Sequence, residues 1–262
     1  MNRVLLTRRQ WLGLTLGALC LPTGTVWAQA WSRVDPVRQW LGDAEVLATP
    51  IAIDLPLVAE DGSSVNLGIA IPAVANDVIV ALAVFAPGNP TAEVAAFTLT
   101  EQVNPVQLAL RLRLSESQTV VVAARTASGK ALVSERAVRV TTSGCLAPSG
   151  AADASAEMQA RVRLPRTIRP GGSGEILTLI SHPMHTGLAA DATGQTPPQR
   201  IIETFEATLA GQPLLSARFY RSLAANPYLR FQVSPTQGGE LQLTWTETAG
   251  RQTVERHPLT LG

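Results

Sequence analysis

Two cysteines, three histidines and one glycine-rich stretch are the groups in this 262-residue chain best suited to chemistry. Cys145 stands in "TTSGCLAPSG" (141–150), between Ser143 and Gly144 on one side and Leu146, Ala147 and Pro148 on the other. These neighbours offer little apolar mass to bury a thiol, so the composition points to a reactive sulfur rather than an inert one. A thiolate can attack or accept sulfur and later release it. No acid, base or metal-ligating side chain adjoins it in sequence. The nearest titratable groups on the preceding strand are Arg139 and Glu135. Cys145 is therefore expected to be a reactive thiol, and no catalytic residue is expected in this chain.

The remaining candidates have simpler readings. His182 and His185 in "SHPMHTG" would need two further ligands to hold zinc, and His257 is the only other histidine. Pro183 and Gly187 mark a turn there instead. "RPGGSGE" (169–175) lacks the Gly-Lys-Ser/Thr that grips phosphate and precedes a strand, so it reads as a plain turn. Trp245 lies in an alternating strand and reads as core. Tyr220, Tyr228 and Phe231 read as packing or domain-interface residues. No metal and no cofactor is expected.

The first 30 residues read as an export signal. Arg8 and Arg9 precede an apolar run, Trp11 follows two positions on, and Ala28-Gln29-Ala30 supplies a small-x-small cleavage pattern. The twin arginines point to the Tat pathway and a periplasmic location, with cleavage after about Ala30. The run is short for a membrane span. Cys20 would leave with the signal, so the mature chain would keep one thiol, able to react or to form a disulfide-linked dimer. Beyond residue 30 there are 18 basic and 20 acidic side chains, a net charge of −2. That excludes the basic footprint of a nucleic-acid binder.

The elements that must position Cys145 are mostly strands. "DPVRQWLGDAE" predicts a short helix capped by Asp35, with Pro36 in its first turn and Val37, Trp40 and Leu41 on one face. From Thr49 the pattern changes to period two and short apolar runs. "IAIDL" and "DVIVALAVFAPG" read as strands. In "VQLALRLRL", Val106, Leu108, Leu110, Leu112 and Leu114 point one way, with Gln107, Arg111 and Arg113 the other. "TVVVAARTASGKALVSERAVRV" reads as two strands joined at Ser128-Gly129. Cys145 then lies three to five residues past the last strand, a reach of about 10–18 Å when extended. Residues 144–159 read as a flexible, cysteine-bearing linker, with Ser143, Gly144 and Leu146 as the mobile arm around the thiol.

A second all-β block follows. "RVRLP", "GEILTLI", "IIETFEATLAGQPLLSARFY", "YLRFQVSP" and "GELQLTWTETAGRQTVERHPLTL" give about seven strands, with turns at Ala210-Gly211 and Ala249-Gly250. The expected fold is all-β: two immunoglobulin-like sandwich domains, at 31–143 and 160–262, and a short N-terminal helix.

Specific stretches carry a family resemblance. "SHPMHTG", followed by Asp191, Gly194 and "PQRII", together with "NPYLRFQVSPTQGGELQLTWTETAG", resembles SoxZ of the bacterial sulfur-oxidising (Sox) system. "IDLPLVAEDGSSV" and "VVAARTASGKALVSERAVRVTTSGC" resemble SoxY. The whole, over about 35–262, is similar to a SoxY–SoxZ fusion, including the SoxYZ-like carriers associated with quinoprotein dehydrogenases. The resemblance implies a covalent carrier of thiosulfate-derived intermediates. Cys145 would be the attachment site, and the partners a haem protein, a hydrolase and a dehydrogenase, or a quinoprotein system. The family arm is Gly-Gly-Cys-Gly at a free C-terminus, whereas here it reads Ser143-Gly144-Cys145-Leu146 and the chain continues. These departures leave open a second reading, a non-covalent scaffold docking an exported dehydrogenase or cytochrome.

Overall fold

The computed structural model describes residues 30–144, 158–188, 190 and 194–262. The export signal up to Gln29, Cys145, Leu146 and most of the expected linker lie outside the described residues. Among those described, no helix is long and apolar enough to cross a membrane.

The N-terminal half opens with a 3-10 turn (Ala30–Arg33) and helix α1 (Asp35–Leu41). Its strands are β1 (Ala52–Asp54), β2 (Val58–Asp61), β3 (Val65–Ile71), β4 (Ile79–Phe85), β5 (Glu93–Leu99), β6 (Val106–Leu112), β7 (Gln118–Thr126) and β8 (Ala131–Thr142). The C-terminal half contributes β9 (Ala160–Arg163), β10 (Gly174–Ile180), β11 (Ile202–Leu209), β12 (Gln212–Phe219), β13 (Tyr228–Val233), β14 (Gly239–Glu247) and β15 (Gln252–Leu259).

Both halves build the same two sheets. A six-stranded sheet runs β1-β3-β6-β13-β10-β9, and a nine-stranded one runs β15-β14-β11-β12-β5-β4-β7-β8-β2. The halves meet edge to edge twice. In the first sheet Leu108 pairs with Phe231 and Leu110 with Leu229. In the second, Phe97 pairs with Ala217 and Leu99 with Leu215. Phe97 and Phe219 meet edge to face across the second seam, with centroids 6.3 Å apart. The two immunoglobulin-like sandwiches expected from the sequence are thus joined through both of their sheets, over one shared main core.

The apolar patterns explain who faces what. Val106, Leu108, Leu110, Leu112 and Leu114 are all buried, as the alternation requires. β4 and β7 are apolar on both faces because both faces are covered. Leu82, Val84, Val120 and Val122 point into the main core, while Ala83, Phe85, Val121 and Ala123 pack under Val37 and Leu41 of α1. The Arg125 guanidinium lies over the Trp40 ring at 5.1 Å and also bonds the Trp40 carbonyl. Asp35 does not cap α1. Val34 occupies that position without a side-chain bond, and Asp35 pairs instead with Arg38.

Turns fall where the sequence puts them. Ala210 and Gly211 both have positive φ, at 50° and 77°, which joins β11 to β12 by a tight hairpin. "RPGGSGE" is a turn in which the Gly172 amide donates to the Arg169 carbonyl, at 2.8 Å. Trp245 is core, its ring tilted against Phe205 with centroids 5.2 Å apart.

Candidate functional site

The chain leaves the described body for Cys145 at Gly144. β8 pairs with β7 antiparallel from Ala131 to Val138. Towards its end it also pairs with β2 in parallel, with Val58 opposite Arg139 and Asp61 opposite Thr142. Beyond Thr142 three segments tie together through main-chain hydrogen bonds. The Gly62 amide donates to the Thr142 carbonyl at 2.9 Å, the Leu114 amide to the Gly62 carbonyl at 2.8 Å, and the Gly144 amide to the Leu114 carbonyl at 2.9 Å.

Two glycines make this approach possible. A Cβ on Gly144 would lie 1.9 Å from the Gly62 carbonyl oxygen, and one on Gly62 would lie 2.3 Å from the Leu114 oxygen. Neither distance is compatible with any side chain. Asp61 shapes the turn that carries Gly62, accepting bonds from the Ser63 amide (2.7 Å) and the Ser63 hydroxyl (2.8 Å). These bonds hold the Asp61 carboxyl below its usual 3.8. Ser143 is exposed, but Gly144 is buried and bonded. The sequence treats Gly144 as slack and puts Cys145 three to five residues past the strand. In the structure β8 ends at Thr142, three residues before Cys145, and Gly144 is already bonded to the body.

The next residue back connects this root to "SHPMHTG". The Arg113 amide donates to the Ser222 carbonyl at 2.7 Å, and its guanidinium reaches the Pro183 carbonyl at 3.3 Å. Asn89 completes the junction. It donates to the Arg113 carbonyl at 2.7 Å and to the Ser222 hydroxyl at 3.0 Å, and it accepts from the Ser115 amide at 2.8 Å. Strand alternation points Arg113 to solvent. It is buried because the C-terminal half closes over it.

"SHPMHTG" is organised around a buried carboxylate. The His182 Nδ1 accepts from the Met184 amide at 3.0 Å, so its Nε2 carries the proton and donates to Glu247 at 3.0 Å. Arg200 and Arg251 pair with the same carboxylate, Arg251 at 3.1 Å. Both ring nitrogens of His182 are thus engaged within the protein. His185 bridges to Arg200 through the main chain, and His257 lies on β15 beside Glu255. Among the described residues no group of three or more His, Cys, Asp or Glu could hold a metal ion.

Electrostatics follow from this packing. Burial pushes His182 below its ordinary 6.5. The hydrogen bond and charge of Glu247 oppose that shift without reversing it. Burial and then the charges of Arg200 and Arg113 lower His185 too. For Glu247 burial works upward, but the bonds from His182 and Arg200 and the charges of Arg200 and Arg251 outweigh it, so the group stays below 4.5. The signs agree. Below pH 6.5 the unfolded chain takes up protons on histidines that the fold keeps neutral. Below about 4.5 the unfolded chain also protonates Glu247. Stability is therefore expected to be fully present at neutral pH and above. It should fall as pH drops through 6.5 and fall again towards 4. Urea midpoints measured across that range check this, and His182→Asn should flatten the first decline.

Gly62, Leu114, Asn89, Arg113 and Glu247 were missed by sequence reasoning. Glu247 did leave a signal. Leu241, Leu243, Trp245 and Glu247 share the inward positions of β14, and an acid in that register is a buried acid.

These features define an all-β protein of two immunoglobulin-like halves sharing their sheets, whose one cysteine beyond the first 30 residues follows an anchored glycine. Residues 37–145 match the family described as sulfur oxidation protein SoxY, and residues 162–257 match sulphur oxidation protein SoxZ. The chain belongs to the SoxY and SoxZ families, fused in one polypeptide. Among solved structures it is similar to the sulfur carrier protein SoxY from Chlorobium limicola f thiosulfatophilum. That match has 27% identity, covers 41% of this chain and 94% of that one, and has a TM-score of 0.36. It is also similar to a superoxide reductase (neelaredoxin) from Ignicoccus hospitalis, at 13% identity over 35% of this chain and 80% of that one, with a TM-score of 0.30. No curated protein matches the chain.

Proposed function

We propose that this protein is a periplasmic covalent sulfur carrier, exported through its twin-arginine signal, that holds thiosulfate-derived intermediates on Cys145. The observation that carries this reading is the end point of the SoxY match: it stops on Cys145, the one cysteine beyond the first 30 residues. The SoxY and SoxZ families are carriers rather than enzymes, and in this reading partners do the chemistry.

Loading joins the Cys145 thiolate to the outer sulfur of thiosulfate. One S–S bond forms and two electrons leave to a haem partner. Hydrolysis of the outer S–S bond by water then releases sulfate and two protons and leaves a persulfide on Cys145. A dehydrogenase, or a quinoprotein system, takes the carried sulfur onward. The SoxZ half contributes no group to this chemistry. It supplies the Ser222 and Pro183 carbonyls that accept from Arg113 of the SoxY half, next to the root of the carrier segment.

The test is intact-mass analysis of protein purified without reductant. Sulfane or sulfonate adducts that reductant removes, and that are missing from Cys145→Ser, are the expected result. Unmodified wild-type protein throughout, including after incubation with thiosulfate and a periplasmic extract, would favour the scaffold reading instead.

A further inference from the structure

We infer that Glu135 is the docking site for the α-ammonium group of Trp31, the N-terminus that signal cleavage after Ala30 creates. The inference rests on the export part of the reading above and not on the sulfur chemistry. Its basis is one carboxylate that spans the two residues on either side of the expected cut. The Ala30 amide donates to one oxygen of Glu135 at 3.1 Å, and the Trp31 amide donates to the other at 2.8 Å.

The surroundings leave Glu135 without a cation. It shares the alternation of Ala131 and Val133 on β8, on the face that α1 covers, and stands opposite Val121 of β7. It is half-buried there. Among the described residues no Lys, Arg or His forms an ion pair with it. Trp31 is fixed by more than this bond. Its side chain packs against the apolar cluster beneath α1, and its carbonyl accepts from the Val34 amide at 3.0 Å. The Val34 carbonyl in turn accepts from the Arg38 amide inside the helix. Cleavage therefore changes the charge of a nitrogen whose position is already set.

Hydrolysis adds one water across the Ala30–Trp31 amide. The water oxygen goes to Ala30, which leaves as a carboxylate with the signal. Both water protons go to the Trp31 nitrogen, which becomes an ammonium. The Ala30 bond to Glu135 is lost. The Trp31 bond becomes a charge-assisted one, at a separation within the range of about 2.7–2.9 Å that such pairs adopt. The mature end, and α1 behind it, is then fastened to β8 by an ion pair that the uncut chain lacks.

The chain carries an internal standard for the test, because Lys130 is its only lysine and is exposed. Protein recovered from the periplasm of an expressing bacterium then has two amines, the α-amine of Trp31 and the Lys130 side chain. An acylating reagent near neutral pH attacks only the unprotonated form, and a carboxylate at hydrogen-bond distance keeps an amine protonated. Peptide mass mapping should show the Trp31 amine, relative to Lys130, reacting about threefold or more faster in Glu135→Gln than in the parent. Salt at about 1 M should raise the parent's ratio towards that of Glu135→Gln. Glu135→Gln keeps the shape of the side chain and one acceptor, so the fold is retained. Glu206→Gln is the control, since it removes the same charge from an exposed position on β11 of the same sheet and should leave the ratio unchanged. A first residue of Trp31 with these ratios supports the inference. Equal ratios in all three proteins, or the same rise in both variants, overturn it and leave export standing. A first residue other than Trp31 overturns it too, and retention of Met1 overturns the export reading with it. Sulfur adducts on Cys145 decide the carrier function separately.

Discussion

Cys145→Ser is expected to reduce sulfur-compound turnover to background in a mixture of the protein, thiosulfate and partner enzymes. The serine hydroxyl remains protonated at neutral pH and cannot form the S–S bond that carries cargo. The rest of the molecule should be untouched, because the change replaces one sulfur by one oxygen, and the Gly144 amide that bonds the Leu114 carbonyl involves no side chain. Unfolding midpoints of the variant and the parent should therefore coincide while turnover differs completely. Electron delivery to cytochrome is the convenient readout. Turnover that persists in Cys145→Ser would refute the carrier role directly, since no second thiol exists beyond residue 30.

Glu247→Ala should have the largest effect on stability. It removes the acceptor for three donors at once: His182, fully buried, Arg200, and the more exposed Arg251. Breaking a buried charge pair from one side costs about 3–5 kcal/mol, because the partner is left desolvated and unpaired. Most of that should come from His182 and Arg200, with little from Arg251, which water already screens. In a chain of this size the thermal midpoint should fall by roughly 10 °C or more. Glu247→Gln keeps a carbonyl to accept from His182 and should lose less. Differential scanning calorimetry of both variants checks the ranking, and a loss in Glu247→Ala below about 1 kcal/mol would mean that the network contributes only order.

Much of this molecule was legible from side-chain periodicity. The inward leucines of "VQLALRLRL", the hairpin at Ala210-Gly211 and the core position of Trp245 all follow from alternation and turn chemistry. What eluded the sequence was made by backbone. The seams β5–β12 and β6–β13 are built from main-chain bonds between strands far apart in the chain, and nothing in "EVAAFTL" or "QPLLSARF" names its neighbour. The cysteine itself was visible as a thiol with small neighbours. Its footing was not, because the contact between Gly62 and Gly144 involves two residues with no side chain to leave a pattern. Gly144 even suggested the opposite, since a glycine that makes room and a glycine that gives flexibility look alike in a sequence. Arg113 misled in the same manner: its register is outward, and only the arrival of the second half buries it.

The shared sheets also bear on how such a molecule can be born. Either half synthesised alone would come off the ribosome with two raw strand borders, β5 and β6 or β12 and β13, each apolar and hungry for hydrogen bonds. Carrying both on one polypeptide means the complement emerges moments later from the same messenger. The sticky borders are sealed by kin before a stranger can reach them.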